Sequence, residues 1–200
     1  MNIDEIVDYA TSTETKLNNK ALSLEGMSSR YVRNMLNKIV SYPDIKYLEI
    51  GVWKGSTFYS ALYNNTPVYA VAIDNFCSFG GPRYEFYENM KDIGVDYKFI
   101  DQDCFKVDIS QFQHKFNAYF YDGEHSELDQ EMALTHYYDA LDDKFLYVCD
   151  DYNVPHVQSG TYNAIKKLNL KILDQRTLLS SRNGDTSSWW NGIFIAILEK

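Results

Sequence analysis

The chain has 200 residues, and 45% of them are hydrophobic, which is enough for the packed core of one domain. It carries 19 lysines and arginines against 28 aspartates and glutamates, for a net charge of −9. A chain this acidic, without a basic stripe, is a poor ligand for phosphate backbones, so we expect no nucleic-acid partner. No apolar run approaches the ~20 residues of a membrane helix, so we expect no membrane partner.

The N-terminal sequence and the cysteines favour a cytoplasmic location. MNIDEIVDYATSTETK has neither the basic nor the apolar segment of a secretory signal. Cys77, Cys104 and Cys149 are an odd number without metal-ligand spacing, which is typical of reduced thiols. Residues 1–25 are polar and poor in aliphatic side chains. We therefore expect a mobile or loosely packed helical arm at 1–25 and a single domain at 26–200.

Predicted helices and strands alternate along the rest of the chain. Ser28 or Ser29 can cap a helix that ends before Pro43. Further helices are predicted around Phe58–Tyr63, Pro82–Met90, Ser126–Leu141 and Tyr162–Leu168. The predicted strands are Lys46–Ile50, Val68–Ile73, Tyr97–Ile100, Phe116–Tyr121, Lys144–Cys149, Leu170–Leu179 and Trp190–Leu198.

This alternation predicts an α/β sandwich with a mostly parallel, seven-stranded sheet and helices on both faces. Only the polar segment Arg182–Ser188 separates the last two strands. Because that segment is too short for a helical crossover, the two strands should pair antiparallel. A parallel sheet with an antiparallel C-terminal strand is unlike most nucleotide-binding folds.

Polar residues collect where the predicted strands end. Asp74, Asp103, Asp122 and the Asp150-Asp151 pair each follow a strand. Aspartate is a common turn residue, so one such position would carry little weight. In open α/β sheets, however, ligands bind beyond the carboxyl ends of the strands, and the repeated pattern predicts one shared site.

The first strand leads into the pattern E-x-G-x-x-x-G, formed by Glu49, Gly51 and Gly55. The glycines let the backbone pass close to a ligand at a helix N-terminus, whose N–H groups favour an anionic group. An ordinary tight turn between a strand and a helix is the alternative. Asp74, about 20 residues further on, stands where a carboxylate binds ribose hydroxyls, as it does in NAD enzymes, unless it only caps a turn.

The chain resembles the Rossmann-like class I S-adenosylmethionine-dependent methyltransferases, and among them the small metal-dependent O-methyltransferases of the macrocin, catechol and caffeoyl-CoA types. The resemblance lies in EIGVWKGST, AIDNF, DQDCF, YDGEHS and CDDYN. It implies S-adenosylmethionine as cofactor, with Asp74 on its ribose and Asp103 on its adenine amino group. Its methionine end would be held by Gly51, Gly55 and Thr57, with Glu49 behind the amino group. Further cofactor contacts are assigned to Met27, Trp53 and Asp122, although Trp53 can also simply pack.

Asp122, Asp150 and Asp151 come from adjacent strand ends and could share one coordination shell. Three carboxylates without a cysteine predict a hard-cation site for Mg²⁺, or for Mn²⁺ or Ca²⁺. In the resembling families such an ion holds the hydroxyls of the acceptor. His125 follows Asp122 by three residues, and a neutral imidazole there could accept the acceptor's proton. A turn at Asp122 and a solvated loop at Asp150-Asp151 are the alternatives for the carboxylates, and a helix N-terminal residue with only local hydrogen bonds is the alternative for His125.

These features predict divalent-metal-assisted O-methylation of a small molecule, such as a sugar or a secondary metabolite, by a protein that could form a homo-oligomer. The alternatives are an NAD-dependent oxidoreductase on a similar sheet and a non-catalytic cofactor-binding domain. The glycine spacing and the antiparallel last strands argue against the oxidoreductase. The complete acidic set argues against a non-catalytic domain. No motif names the acceptor.

Overall fold

The computed structural model describes all residues from Met1 to Lys200. The strands of its single sheet are β1 Lys46–Ile50, β2 Tyr69–Asp74, β3 Lys98–Asp101, β4 Phe116–Tyr121, β5 Leu141–Cys149, β6 Lys171–Leu178 and β7 Ile193–Glu199. The helices are α1 Ile3–Thr11, α2 Asn19–Ser23, α3 Arg30–Val40, α4 Ser56–Leu62, α5 Arg83–Met90, α6 Glu127–Tyr137 and α7 Pro155–Lys167. None of the helices combines the length and the apolar character needed to cross a bilayer.

The sheet has the strand order β3-β2-β1-β4-β5-β7-β6. Strands β1 to β5 pair in parallel, and β7 pairs antiparallel with both β5 and β6. The predicted fold class is thereby confirmed, including the antiparallel pairing of the last two strands. The strand order reverses between β1 and β4, and such a reversal opens a ligand crevice at the carboxyl ends of these strands.

Two buried cores lie on opposite faces of the sheet. Successive residues of a strand point to opposite faces, so Tyr47 belongs to the first core and Leu48 to the second. Helices α1 to α5 contribute to the first core, and α6 and α7 contribute to the second. Because both faces are covered, the inner parallel strands β1, β2 and β4 are almost continuously buried, whereas the edge strands β3 and β6 are partly exposed.

The prediction that residues 1–25 form a loosely packed arm is wrong, although its helical character is correct. Ile3, Ile6 and Ala10 lie on one face of α1 and are fully buried in the first core. Asn2 and Asn18 cap α1 and α2 through their side chains. The few apolar residues of this segment have the spacing of one helical face, and this spacing matters more for packing than their low number.

Buried Arg33 on α3 joins this N-terminal segment to the domain. Its guanidinium donates hydrogen bonds to the Ser28 hydroxyl and to the carbonyls of Ala21, Leu22 and Leu24, at 2.9 to 3.2 Å. No carboxylate pairs with it, and its burial lowers the pKa of Arg33 to about 10. One cation thus satisfies three carbonyl groups that no helix or strand satisfies.

We expect Arg33→Met to lower the free energy of unfolding by about 3 kcal/mol, because hydrogen bonds from a charged donor contribute about 1.5–3 kcal/mol each and the freed carbonyls stay partly buried. Amide exchange should also accelerate across residues 1–27. Urea denaturation and hydrogen-exchange mass spectrometry measure the two effects. Exposed Arg182 provides the control, Arg182→Met. Unchanged exchange across residues 1–27 in Arg33→Met would contradict this role.

Several element boundaries differ from the prediction, most clearly at the last strand. Trp190 was expected to begin that strand, but β7 begins at Ile193. Trp190 has a left-handed backbone with a φ of 60° and pairs with Asp185 in an isolated bridge. Gly192 turns the chain with a φ of 89°, directly against Asn153. This tertiary contact, rather than local hydropathy, sets the start of the strand.

Candidate functional site

A cavity of about 620 Å³ opens at the carboxyl ends of β1, β2, β4 and β5. It lies at the reversal of strand order between β1 and β4, where ligands of open α/β sheets bind. Its lining includes the turn after β1 and the loops that follow β2, β4 and β5. The residues predicted from strand ends are therefore brought to one place.

Gly51 makes the junction between β1 and β4 possible. Its φ is +82°, and a Cβ atom there would lie 1.8 Å from the carbonyl oxygen of Asp122. Its backbone N–H donates a hydrogen bond to the Ile73 carbonyl at 2.9 Å, and the backbone N–H of Asp122 donates one to the Ile50 carbonyl at 2.9 Å. Only glycine permits both the left-handed backbone and this close approach.

Two other residues of the turn between β1 and α4, Trp53 and Gly55, have different structural roles. Gly55, with a φ of +83°, precedes α4 and packs against Phe86 of α5 without lining the cavity. Trp53 lines the cavity. Its backbone N–H donates a hydrogen bond to the Asp74 carboxylate at 2.8 Å, and its indole N–H donates one to the Phe79 carbonyl at 3.1 Å. Gly55 therefore has a packing role here, and its contact with a cofactor stays a prediction.

Glu49 lies fully buried beneath the turn, behind the cavity wall. The hydroxyls of Tyr47 and Thr57 each donate a hydrogen bond to its carboxylate at 2.5 Å. Burial raises the pKa of Glu49 to about 7, and these two hydrogen bonds act in the opposite direction. Thr57 lines the cavity and connects Glu49 to it. The carboxyl group is therefore positioned to respond to a cation in the cavity without touching solvent.

Asp74 and Asp103 lie at the β2 and β3 side of the cavity. The two carboxylate oxygens of Asp74 accept the N–H groups of Trp53 and Phe76, at 2.8 and 2.7 Å. Asp103 accepts the N–H of Phe105 and pairs with Lys106 at 2.9 Å, and this pairing lowers the pKa of Asp103. Both residues cap turns and also line the cavity, so the turn-cap alternative for Asp74 does not exclude a ligand contact, which stays a prediction for both residues.

Asp122, Asp150 and Asp151 form the acidic end of the cavity. Burial and the neighbouring carboxylates raise the pKa values of Asp122 and Asp150 well above their ordinary range. Asp150 is only 3% exposed, and its Oδ1 has no hydrogen-bond partner. Asp151, whose φ is 56°, accepts a hydrogen bond from the Asn191 side-chain amide. These acidic groups repel one another and would be stabilised by a cation.

The imidazole of His125 lies between two of these carboxylates. Its Nε2 is 3.5 Å from Asp122 Oδ1 and 3.5 Å from Asp151 Oδ2. Its Nδ1 is 3.0 Å from the side-chain amide nitrogen of Gln130, a fully buried residue of α6. His125 is thus held from both sides at the acidic end.

The predicted divalent-metal site at Asp122, Asp150 and Asp151 finds no support in the geometry. The hard oxygen donors are present, but no group of three or more acidic, histidine or cysteine side chains is arranged to hold a metal ion. His125 lies between Asp122 and Asp151, and the Asn191 amide binds Asp151. These two side chains occupy oxygens of Asp122 and Asp151 that an ion would need, and among the three acidic groups only Asp150 keeps a buried oxygen without a partner.

The cavity contains most of the predicted site and several residues that no motif indicated. The predicted residues that line it are Met27, Gly51, Trp53, Thr57, Asp74, Asp103, Asp122, His125, Asp150 and Asp151. Glu49 and Gly55 lie behind its wall. Phe79, Glu124, Trp190 and Asn191 line it without having been predicted. Glu124 lies within YDGEHS, so that motif could have indicated it. Trp190 carried no sequence signal beyond its hydropathy.

The lining is rich in acidic side chains and has no lysine or arginine to balance them. The seven acidic residues are Asp74, Asp103, Asp122, Glu124, Asp129, Asp150 and Asp151. Such a concave acidic surface attracts cations and repels anions. Charge therefore disfavours phosphorylated or otherwise anionic ligands at the acidic end.

The sheet order, the glycine turn at the strand reversal and the position of the cavity define the Rossmann-like fold of the class I methyltransferases. The O-methyltransferase TomG from Streptomyces achromogenes, which is involved in tomaymycin synthesis and was solved with S-adenosylmethionine, is one similar structure. It superposes with a TM-score of 0.65 at 12% identity, over 98% of this chain and 96% of that one. The O-methyltransferase from Bacillus cereus, solved with S-adenosylhomocysteine, gives 0.64 at 11% identity, over 98% and 97%.

The same fold also occurs in a Pyrococcus horikoshii protein assigned as an RNA methyltransferase, with a TM-score of 0.58 at 11% identity over 100% of this chain and 97% of that one. No protein-family model and no curated protein sequence matches this chain. The structural similarities therefore show the fold, and the fold alone does not select an acceptor.

Proposed function

We propose that the chain is an S-adenosylmethionine-dependent methyltransferase that methylates a hydroxyl oxygen of a small molecule. The observation that carries this proposal is the cavity at the β1/β4 reversal, which contains both the Gly51 turn and the carboxylates of four strand ends. Two structures that share the fold contain S-adenosylmethionine or its product, and this supports the choice of cofactor. When bound, this cofactor supplies an electrophilic methyl group on a sulfonium ion.

The residues of the turn and of β2 form the cofactor end in this proposal. Asp74, fixed by two backbone N–H groups, retains lone pairs for ribose hydroxyls. Glu49 provides negative charge beneath Thr57, where a cofactor amino group would be favoured. Met27 and Trp53 line the same end and can shield the cofactor from water. Most of the catalytic effect would come from positioning and from exclusion of solvent.

The acidic end would receive the acceptor and its proton. We propose a neutral or cationic acceptor, such as a sugar or a secondary metabolite, because the lining has seven carboxylates and no lysine or arginine. Asp122, His125 and Asp151 are the ionisable groups placed together here, so the hydroxyl proton would pass to this group. The same negative charge makes RNA an unfavourable acceptor, although an RNA methyltransferase assignment exists within the fold.

Calorimetry with S-adenosylmethionine, S-adenosylhomocysteine and NAD tests the proposal. We expect binding of the first two and none of NAD, and Asp74→Ala should weaken binding about 10–100-fold through the loss of charged hydrogen bonds. Exposed Asp96, outside the cavity, provides the control variant Asp96→Ala, which should bind as the wild type does. Preference for NAD, or an Asp74→Ala variant with full affinity, would overturn the proposal.

Whether an ion joins the reaction is decided separately from the choice of cofactor. Methyl transfer to a panel of hydroxylated small molecules is measured with EDTA and, in parallel, with Mg²⁺. Activity that persists in EDTA agrees with the geometry described above. Activity that requires Mg²⁺ would instead support the metal site predicted from the sequence. Asp151 would then bind the ion in place of Asn191 and His125.

A further inference from the structure

A buried hydrogen-bonded chain behind His125 carries an inference about the state of its imidazole. Gln130 is fully buried on α6 and contacts two polar side chains. Its amide nitrogen is 3.0 Å from His125 Nδ1, and its amide oxygen is 3.1 Å from Cys149 Sγ. Beyond the imidazole, Nε2 faces the carboxylates of Asp122 and Asp151, at 3.5 Å each.

The orientation of the Gln130 amide follows from its partners. The Cys149 thiol has one hydrogen and two acceptors within reach, the Gln130 amide oxygen at 3.1 Å and the Asp150 carbonyl oxygen at 3.2 Å. Because a thiol is only a weak acceptor, the amide oxygen is a better partner for it than the amide N–H. The sulfur already has Thr161 as a donor at 3.9 Å, which makes a second donor to it less favourable. With the oxygen directed at Cys149, the amide N–H can only point to His125 Nδ1. That nitrogen must then be the acceptor.

We infer that Gln130 and Cys149 are positioning residues that hold His125 in the tautomer protonated on Nε2, with this nitrogen facing Asp122 and Asp151. A neutral imidazole carries one proton, so acceptance at Nδ1 places the proton on Nε2. The opposite tautomer would direct a lone pair at the Asp151 carboxylate and would place an N–H against the N–H of Gln130. Both contacts are repulsive.

This tautomer has a consequence for methyl transfer, which rests on the proposed function. Nδ1 is occupied by Gln130 and Nε2 carries a proton, so the imidazole has no free lone pair. The proton of the acceptor hydroxyl would therefore pass to the Asp151 carboxylate, which faces His125, and not to the imidazole. In a methyl transfer the oxygen–carbon bond would form as the carbon–sulfur bond breaks, and sulfur would keep that electron pair. His125 orients the two carboxylates, a different role from the proton acceptor predicted from the sequence.

Long-range ¹H–¹⁵N correlation spectra of the ¹⁵N-labelled protein, without cofactor or acceptor, test the tautomer directly. At neutral pH we expect the His125 signals to show a protonated Nε2 and an unprotonated Nδ1. The spectrum of His125→Gln assigns these signals among the four histidines. A wild-type His125 protonated on Nδ1, or averaged between tautomers, would overturn the inference without any further variant.

Variants of the two positioning residues test the cause. Gln130→Glu offers only acceptor oxygens, so the proton should move to Nδ1, whereas Cys149→Ser keeps a donor and should preserve the wild-type pattern. Gln158, which donates to the Tyr152 carbonyl away from His125, provides the matched control Gln158→Glu. A folded Gln130→Glu protein with the wild-type pattern would show that Gln130 does not set the tautomer.

Kinetics separate this inference from the proposed function. If the chain is a methyltransferase, Gln130→Glu should lower kcat while KM for the acceptor stays within about twofold, because the substituted group touches no substrate. A loss confined to KM would contradict the positioning role. If no methyl transfer occurs at all, the proposed function fails, and the spectra still decide the tautomer.

Discussion

Gly51→Ala is expected to lower the free energy of unfolding by about 2–5 kcal/mol and to abolish cofactor binding. A left-handed backbone costs a residue with a Cβ about 1–2 kcal/mol, and overpacking adds about 1–3 kcal/mol. The overpacking is severe, because the new Cβ would lie 1.8 Å from the Asp122 carbonyl oxygen, a backbone atom. The ends of β1 and β4 must separate, and the cavity lies between them. Urea denaturation and calorimetry measure the two effects.

Two further glycines separate the contributions to this effect. Gly94 has a φ of +69° with nothing near its Cβ position, so Gly94→Ala should cost about 1–2 kcal/mol and leave cofactor affinity unchanged. Gly55 has a φ of +83° and a Cβ position 3.0 Å from Phe86, outside the cavity. Gly55→Ala should therefore reduce stability more than affinity. If Gly51→Ala bound the cofactor normally, the β1 turn would not form the binding site.

The sheet could be predicted because each parallel strand is a short apolar run between polar segments. β1 and β4 begin and end where the sequence predicted, since buried residues change abruptly to turn residues there. The packing of residues 1–25 and the position of Trp190 could not be predicted in the same way. Both depend on distant partners, Arg33 with the carbonyls of residues 21–24 and Gly192 against Asn153. Local hydropathy contains no information about such contacts.

The site was predictable to the extent that strand ends meet at one edge of a parallel sheet. This rule brought Asp74, Asp122 and Asp150 together from positions far apart in the chain. It could not indicate Gln130, because a glutamine in the middle of an amphipathic helix is usually a solvated residue. Nor could it show that His125 and Asn191 engage the carboxylates assigned to a metal. Residue types predict the chemistry available at a site, whereas their pairing requires the structure.

Glu49 should make the stability of the protein depend on pH in the direction opposite to an ion-paired carboxylate. Its pKa is about 7 in the folded protein and 4.5 ordinarily, so the folded state binds a proton first as the pH falls. Its contribution to stability therefore increases from pH 7 down to about pH 4.5 and is lost again as the pH rises through 7. The difference between these values corresponds to about 3 kcal/mol.

Urea denaturation at a series of pH values measures this dependence as the difference between wild type and Glu49→Gln, which cannot ionise. Subtracting the variant removes the contributions of groups that do not interact with Glu49, and what remains includes its effect on Asp122. Exposed Glu85 provides the control, and Glu85→Gln should follow the wild type. Parallel curves for wild type and Glu49→Gln would show that folding leaves the pKa of Glu49 unchanged, contrary to the effect of its burial.

The same carboxyl group links proton release to cofactor binding. A cofactor amino group above Thr57 would favour ionised Glu49, so binding at about pH 6 should release most of one proton from the folded protein. Calorimetry in buffers of different ionisation enthalpy counts that proton, which should be absent in Glu49→Gln. Affinity should accordingly rise as the pH is raised from 6 towards 8 in the wild type only. Binding without proton release would place the amino group away from Glu49, and the buried carboxyl would then serve the fold rather than the cofactor.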